Sequence, residues 1–114
     1  MNRLLAVFFV IALLNAVCGQ RSFAVAANDT VQIKQGQAIA EANCARCHAV
    51  GPDDESVVAS APAFRELGLR YPVDTLAEGL AEGIVTGHPA MPEFELQPED
   101  IEAFLAYLNS IQVK

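Results

Sequence analysis

The apolar residues of this 114-residue chain recur mainly at helical spacing. The clearest stripe lies near the C-terminus, where five apolar residues fall on one helical face: Ile101, Phe104, Leu105, Leu108 and Ile111. Pro98 suits the first turn of this helix, because no hydrogen bond is required of its nitrogen there. Lys114 would lie near the negative end of the helix dipole. The pattern therefore predicts a helix from Pro98 towards the C-terminus.

Two further helices are predicted in the first two thirds of the chain. Asp29 or Thr30 would cap the start of one helix, which would end near Asn43. A short helix would cover residues 63–67 and stop at Gly68, because glycine often ends helices.

A third upstream helix would be capped by Asp74 and run to about Val85. Clusters of proline, glycine and aspartate predict loops over residues 51–61 and 86–94. No segment has the alternating apolar pattern of a strand, so we expect an all-α single domain.

The apolar face of the last helix needs a partner. Gly36 and Ala40 are small residues four positions apart, and they lie on one face of the first helix. Small residues let two helices approach closely, so we expect Phe104 and Tyr107 to pack against this face.

The first 26 residues have the features of an export signal. A short positively charged start precedes residues 4–17, a stretch of 14 residues with a single polar position. Residues 24–26 read Ala-Val-Ala, a small-residue pattern that a signal peptidase cleaves. We therefore predict a signal peptide over residues 1–26, cleaved near Ala26, and one periplasmic domain over residues 27–114.

Two alternatives for the N-terminus stay open. One is a retained membrane anchor, although 14 apolar residues are fewer than the about 20 that a bilayer core needs. The other is a lipid on Cys18, although Val17 is not the small residue expected before a lipidated cysteine. After cleavage near Ala26 no second apolar run is left in the sequence, and we expect no stable membrane insertion.

The charge of the chain excludes one large class of function. It has 7 Lys and Arg against 14 Asp and Glu, which gives a net charge of -7. All the acids and five of the bases lie in residues 27–114, whose net charge is therefore -9. A nucleic-acid-binding protein needs cations to displace the counterions of phosphates, so this function is excluded. We expect partner proteins with basic docking surfaces instead.

Cys44, Cys47 and His48 form a C-x-x-C-H sequence. In an exported protein this spacing is typical of haem attachment, because two thiols add to the two vinyl groups of one haem and the adjacent His reaches the iron. Three alternatives stay open: a disulfide, a thiol-redox pair, and a zinc site that also includes His88. We favour one covalently bound haem c, with its iron, as the cofactor.

A haem iron bound by His48 has a second axial position. Met91 is the one methionine after the predicted signal, and it lies in a loop restricted by Pro89 and Pro92. A thioether is a soft ligand that favours ferrous iron, so Met91 is the candidate for this position. His88 is the competing ligand, and a solvated loop residue is its other interpretation.

Four segments together resemble a small bacterial class I cytochrome c: residues 42–48, 62–64, 87–92 and 103–108. They contain the attachment motif, a Pro-Ala-Phe sequence, the Met91 loop and part of the last helix, in the family's order. The resemblance covers nearly all of residues 30–112. It implies a cytochrome c fold of three to five short helices around one haem, whose edge is exposed between the attachment motif and the Met91 loop.

The resemblance also gives Pro62 a role. In the family a proline carbonyl shortly after the attachment motif accepts a hydrogen bond from the ligand His, which would be His48 here. A proline of an ordinary turn stays the alternative. Arg70 and Tyr71 are candidates for hydrogen bonds to a haem propionate, or are surface or core residues.

The expected function is that of a soluble, monomeric, periplasmic carrier of single electrons between redox partner proteins. With both axial positions of the iron filled, no position is open for a substrate, so we do not expect an enzyme. Two alternatives stay open. One is a haem protein with a labile sixth ligand that senses a gas or reacts with peroxide. The other is an electron-accepting subunit held permanently by one dehydrogenase.

Overall fold

The computed structural model describes residues 27–84 and 90–114. Packing divides the chain into two units, Met1–Thr30 and Val31–Lys114. The predicted signal peptide, and the alternatives of an anchor or a lipid on Cys18, lie outside the described residues. Within the described part, no helix is long and apolar enough to cross a membrane.

In the described part of the chain, helix α1 covers residues 27–43. It ends where the sequence predicts, and the amide of Cys44 donates to the carbonyl of Ala40 at 2.9 Å to close its last turn. The predicted caps are wrong, because Asp29 and Thr30 both lie inside the helix.

Two short 3₁₀ helices follow, over Phe64–Leu69 and Val73–Thr75. The first corresponds to the helix predicted at residues 63–67, but it does not stop at Gly68. Instead the amide of Gly68 donates to the side chain of Gln112 at 2.6 Å, which holds this glycine within the helix.

Helix α2 covers Leu76–Glu82 and is shorter than predicted. Asp74 is not its cap, because its carboxylate accepts a hydrogen bond from Asn109 at 2.8 Å. The helix ends before Val85 because Gly83 has a φ of 90°, which is incompatible with a continued right-handed helix.

Helix α3 covers Pro98–Ile111 and has proline in its first turn, as predicted. The expectation for Lys114 is wrong, because the chain is already extended at Gln112 and no basic residue lies in the last turn. The side-chain amide of Gln112 caps the C-terminal end of the helix instead. It donates to the carbonyls of Leu108 at 2.7 Å and Phe64 at 2.8 Å.

Helices α1 and α3 approach closely at Gly36. A Cβ atom at this position would overlap the backbone oxygen of Ala103 and would lie 2.8 Å from the Cβ of Tyr107. The predicted packing of Tyr107 against Gly36 is therefore confirmed, and the backbone of Ala103 is a further contact. Phe104 belongs to the same buried cluster as Ala40. Ala40 is fully buried one turn further along α1.

The core is built from the inner faces of these helices and the segment before the first 3₁₀ helix. Its buried cluster contains Ala40, Val50, Phe64, Leu67, Val73, Leu80, Ile101, Phe104, Tyr107 and Leu108. The predicted stripe on α3 is buried at Ile101, Phe104 and Leu108 and half-buried at Leu105 and Ile111. The described residues contain helices and no strand, which confirms the all-α prediction.

Candidate functional site

The helices line a cavity of about 350 Å³. All five site residues predicted from the sequence contribute to its wall: Cys44, Cys47, His48, Pro62 and Met91. The remaining wall is mainly apolar. It is formed by residues of α1, α2 and α3 and of the chain before and after α2, for example Ile39, Leu67, Leu80, Phe94, Phe104 and Leu108. The fold therefore brings two thiols, an imidazole and a thioether, which lie up to 47 residues apart in the sequence, to one cavity.

The two cysteines reach the cavity from a tight turn that directly follows α1. The amides of Cys47 and His48 both donate to the carbonyl of Cys44, at 3.1 and 3.0 Å. This turn places the side chains of Cys44, Cys47 and His48 in the wall of one cavity. Both cysteines are half-buried free thiols, so the structure contains no disulfide between them.

Burial raises the pKa of the Cys44 thiol from 9.0 to about 11. The physical cause is the loss of hydration, which disfavours the thiolate. A thiol that stays protonated at neutral pH is a poor nucleophile for disulfide exchange. Cys44 is therefore not suited to be the attacking thiol of a redox pair.

The imidazole of His48 is oriented by Pro62. Its Nδ1 lies 2.9 Å from the Pro62 carbonyl oxygen. A carbonyl only accepts, so Nδ1 carries the proton of this bond, and in the neutral imidazole Nε2 then has the lone pair. The ring also packs against Phe64, with 5.0 Å between ring centroids, and Phe64 meets Phe104 edge-on at 5.9 Å.

The loop behind the motif is held by side-chain hydrogen bonds that the sequence analysis missed. The carboxylate of Asp54 accepts from the amides of Val50 at 3.1 Å and Gly51 at 2.9 Å. The hydroxyl of Ser56 accepts from the amide of Ala49 at 2.9 Å. An aspartate in a Pro-Asp-Asp turn cluster is a sequence signal for such a loop.

The loop also contacts the motif and the first 3₁₀ helix. The amide of Val58 donates to the carbonyl of Cys47 at 3.1 Å. The guanidinium of Arg65 donates to the backbone oxygen of Asp54 at 2.6 Å and forms ion pairs with Asp54 and Glu66.

Met91 is half-buried and lines the cavity between two exposed neighbours, Ala90 and Pro92. The predictions that involve His88, as the competing axial ligand or as a member of a zinc site, lie outside the described residues. The same applies to the effect of Pro89 on this loop.

Arg70 and Tyr71 also line the cavity, at its exposed rim. In the described part of the chain, Arg70 is the only Lys or Arg in the wall, and its guanidinium makes no hydrogen bond or ion pair there. A carboxylate of a bound group could pair with the guanidinium of Arg70 at this rim. That Arg70 or Tyr71 binds a haem propionate stays a prediction.

The residues present fit a covalently attached haem. Two unpaired thiols three residues apart, an imidazole with its Nε2 lone pair available and a thioether all face a cavity with apolar walls. Haem needs two thioether bonds, soft or imidazole axial ligands and an apolar surface for its ring.

The sequence matches the family described as cytochrome c oxidase, cbb3-type, subunit III, over residues 31–108. This range includes the attachment motif, Met91 and most of α3. No curated protein and no solved structure matches the chain.

Cytochrome c domains of this kind bind haem c covalently, contain iron and transfer electrons to redox partners. The cofactor and the resemblance predicted from the sequence are therefore confirmed. The match covers about two thirds of the chain, and the protein belongs to this family of c-type cytochrome domains.

Proposed function

We propose that this protein is an exported, soluble single-electron carrier whose haem iron is bound axially by His48 and Met91. The observation that carries the proposal is the hydrogen bond between Nδ1 of His48 and the carbonyl of Pro62, beside a cavity that Met91 also lines. When bound, the haem supplies an iron that changes its oxidation state by one electron.

Cys44 and Cys47 would attach the haem through two thioether bonds. Their thiols lie on one turn, closed by hydrogen bonds to the carbonyl of Cys44. A turn of fixed geometry sets the separation of the thiols, and the separation must match that of two vinyl groups on one ring.

His48 would bind the iron through Nε2. The Pro62 carbonyl fixes the orientation of the imidazole and makes Nε2 a stronger donor, since a hydrogen bond at one ring nitrogen raises the basicity of the other. Contact with Phe64 restricts the rotation of the same ring.

Met91 would occupy the sixth position. A thioether stabilises ferrous iron relative to ferric iron and so raises the reduction potential. The apolar wall acts in the same direction, because a medium of low polarity disfavours the extra charge of the oxidised site. With both axial positions filled, no site is left for a substrate, and this supports electron transfer without enzymatic activity.

The test is the visible spectrum of the reduced, exported protein before and after addition of carbon monoxide. We expect an unchanged low-spin spectrum for the native protein and a clear shift for Met91→Ala, with covalent haem retained in both. Glu95→Ala, at an exposed residue of the same segment outside the cavity wall, is the matched control and should behave as the native protein. A shift in the native protein would move gas binding or peroxide chemistry ahead of electron transfer.

Export is the second part of the proposal. The signal expected over residues 1–26 would direct the chain to the periplasm, where haem c is attached. N-terminal sequencing of the haem-containing protein should give a start close to Ala27. A start at Met1, or at a lipid-modified Cys18, would replace the soluble carrier by a membrane-attached one.

A second candidate is favoured by the description of the family, which names a subunit of an oxidase. In this case the protein would stay in one redox complex instead of moving between partners. Gentle purification from native extract separates the two. Elution at the size of the single chain supports the mobile carrier, and stable co-elution with a larger enzyme supports the subunit.

A further inference from the structure

Gln112 joins the end of α3 to the 3₁₀ helix over Phe64–Leu69. Its side-chain nitrogen donates to the carbonyls of Leu108 at 2.7 Å and Phe64 at 2.8 Å. Its side-chain oxygen accepts from the amide of Gly68 at 2.6 Å. We call Gln112 and its three partners, Phe64, Gly68 and Leu108, the Gln112 clasp. One half-buried side chain thus uses both the donor and the acceptor of its amide between two elements.

Capping of α3 alone does not account for these contacts. A C-terminal cap needs partners among the last carbonyls of its own helix, and here only Leu108 is one of them. The other two bonds of Gln112 go to the 3₁₀ helix. The next amide, that of Val113, also donates to this helix, to the carbonyl of Arg65 at 2.9 Å. The contacts therefore hold the 3₁₀ helix against the end of α3.

The 3₁₀ helix depends on contacts of this kind. No side chain caps its first turn, where Ala63 is the N-cap residue. The hydrogen bonds of a 3₁₀ helix have poorer geometry than those of an α-helix, so a short one is stabilised mainly by its neighbours. Phe64 and Leu67 supply buried packing, and the Gln112 clasp supplies hydrogen bonds near both ends of the helix.

The first residue of this helix is coupled to His48 in three ways. The ring of Phe64 packs against the imidazole, with 5.0 Å between ring centroids. The amide of Phe64 donates to the carbonyl of Ala49, the residue after His48, at 2.9 Å. Pro62, whose carbonyl oxygen lies 2.9 Å from Nδ1 of His48, is two residues before Phe64. A shift of Phe64 would therefore move both the packing surface and the hydrogen-bond acceptor of the imidazole.

We infer that Gln112 is a positioning residue for His48. It lies outside the cavity wall and acts through Phe64, whose carbonyl it holds. In this way it keeps the Pro62 carbonyl in place to accept from Nδ1 of the imidazole. The inference rests on the proposed function, in which Nε2 of His48 binds the haem iron.

The consequence of this positioning is a change in the reduction potential. A weaker hydrogen bond at Nδ1 makes Nε2 of His48 a poorer donor. A poorer donor stabilises ferric iron less, so loss of the Gln112 clasp should raise the potential. A merely structural role predicts the opposite shift. If loss of Gln112 only loosened the fold, water would reach the mainly apolar cavity, stabilise the charge of the oxidised site and lower the potential.

The main experiment compares the native protein with Gln112→Leu, whose apolar side chain can make none of the three hydrogen bonds. In the reduced, haem-containing, ¹⁵N-labelled protein, exchange of the His48 Nδ1 proton with deuterium measures how often the bond to Pro62 opens. We expect exchange to be about tenfold faster in the variant, because the opening becomes easier by the net strength of about one hydrogen bond. Voltammetry should show a higher reduction potential.

The matched control is Asn109→Leu, which removes another side-chain amide near the same end of α3. Asn109 donates to the carboxylate of Asp74 at 2.8 Å and lies outside the cavity wall. It connects α3 to a different segment, so the exchange of the Nδ1 proton and the potential should both stay at their native values. Equal changes in Asn109→Leu and Gln112→Leu would assign the effect to the stability of α3 and overturn the inference.

Gly68→Ala perturbs the clasp from its other side and keeps the amide of Gln112. A Cβ atom on Gly68 would lie 2.9 Å from the side-chain oxygen of Gln112, so this flexible side chain has to shift. Gly68 does not have a positive φ, and an alanine therefore fits its backbone. Exchange of the Nδ1 proton should be faster than in the native protein and slower than in Gln112→Leu. In the double variant Gly68→Ala should add little, because both changes act through one side chain.

Native exchange of the Nδ1 proton in both Gln112→Leu and Gly68→Ala, or a lower potential in Gln112→Leu, would overturn the inference. Failure of the proposed function is distinct, because it would appear in the native protein itself. The ring protons of His48 would then lack the upfield shift that a haem causes in an imidazole bound to its iron, or the reduced protein would bind carbon monoxide.

Discussion

The two sides of the cavity are held in different ways. On the His48 side, the imidazole is bonded to Pro62 and packed on Phe64, and the loop behind it is fastened by Asp54 and Ser56. On the Met91 side, two backbone hydrogen bonds connect the described residues to α2 and to the chain just after it. The amide of Leu96 donates to the carbonyl of Leu80 in α2 at 2.8 Å, and the amide of Ile84 donates to the carbonyl of Phe94 at 3.2 Å. Met91 itself lies outside both pairs.

This difference indicates which of the two proposed axial ligands would be easier to displace. A ligand whose ring is oriented by a hydrogen bond, and whose supporting loop is held by further ones, resists movement. In the described residues, the backbone hydrogen bonds of the Met91 segment lie after Met91, at Phe94 and Leu96, so this ligand would depend more on its bond to iron. We therefore expect changes on the His48 side to affect stability, and changes on the Met91 side to affect access to the sixth position.

The largest effect is expected when the attachment itself is removed. Cys44→Ser/Cys47→Ser should abolish covalent haem and leave the domain largely unfolded, because the cavity wall supplies much of the apolar surface of a small core. Pyridine haemochrome spectra and far-UV circular dichroism measure the two losses. Met91→Ala should keep haem and helix content; a folded, colourless double variant would contradict the expectation.

The next effect tests the support on the His48 side. Asp54→Ala removes the acceptor for the amides of Val50 and Gly51 and a partner of Arg65. Each lost bond to a charged group costs about 1–2 kcal/mol, so we expect the free energy of unfolding to fall by about 2–3 kcal/mol. Urea denaturation of the haem-containing protein measures it, with the neighbouring Asp53→Ala as the control.

Asp54→Ala should not change the response of the reduced protein to carbon monoxide. Its loop supports His48, and the proposed sixth ligand, Met91, belongs to another segment. If carbon monoxide binds readily to this variant, the two sides of the cavity are coupled, and the distinction between them is lost.

On the Met91 side, Gly83→Ala tests how firmly the Met91 segment is held. Gly83 has a φ of 90°, and an added Cβ would overlap the carboxylate of Glu93. An L-residue is strained in this conformation by about 1–2 kcal/mol, so we expect a loss of that size in unfolding free energy together with easier carbon monoxide binding. Glu93→Ala in the same background relieves the overlap and leaves the backbone strain. A variant that loses stability without binding carbon monoxide would show that the Met91 side is held more firmly than its hydrogen bonds indicate.

The sequence predicted those parts of the site whose chemistry is local. Cys44, Cys47 and His48 are adjacent in the chain, and their spacing alone specifies the attachment chemistry. Helix α3 was predictable because its apolar residues keep one face over three turns, and Gly36 because a close approach of helices needs a small residue.

Other features depend on contacts between distant residues and were not predictable. Asp74 has the composition of a helix cap, but Asn109, 35 residues away, binds its carboxylate. Gln112 replaces the expected Lys114 at the end of α3 because its amide reaches two carbonyls at once. Gly83 ends α2 early through a backbone conformation that its identity allows but does not require.

The smallest expected effect concerns Tyr107, where α3 meets the backbone next to the attachment motif. Its hydroxyl donates to the carbonyl of Val50 at 2.7 Å. Tyr107→Phe removes this bond and leaves a buried carbonyl without it, so we expect a loss of about 1 kcal/mol in unfolding free energy.

The same hydroxyl gives the native protein an alkaline dependence that the variant should lack. Burial, followed by the charges of Glu41 and Asp54, raises the pKa of Tyr107 above its ordinary value of 10. The folded state therefore keeps this proton longer than the unfolded chain does. The stabilisation by the neutral phenol is complete below pH 10 and is lost as the pH rises through the higher pKa of the folded state. The free energies of unfolding of the native protein and Tyr107→Phe, measured against pH, should thus differ most near neutral pH and converge at alkaline pH. Only the native protein loses a hydrogen bond as the phenol ionises. Parallel curves would show that this phenol does not couple α3 to the His48 side.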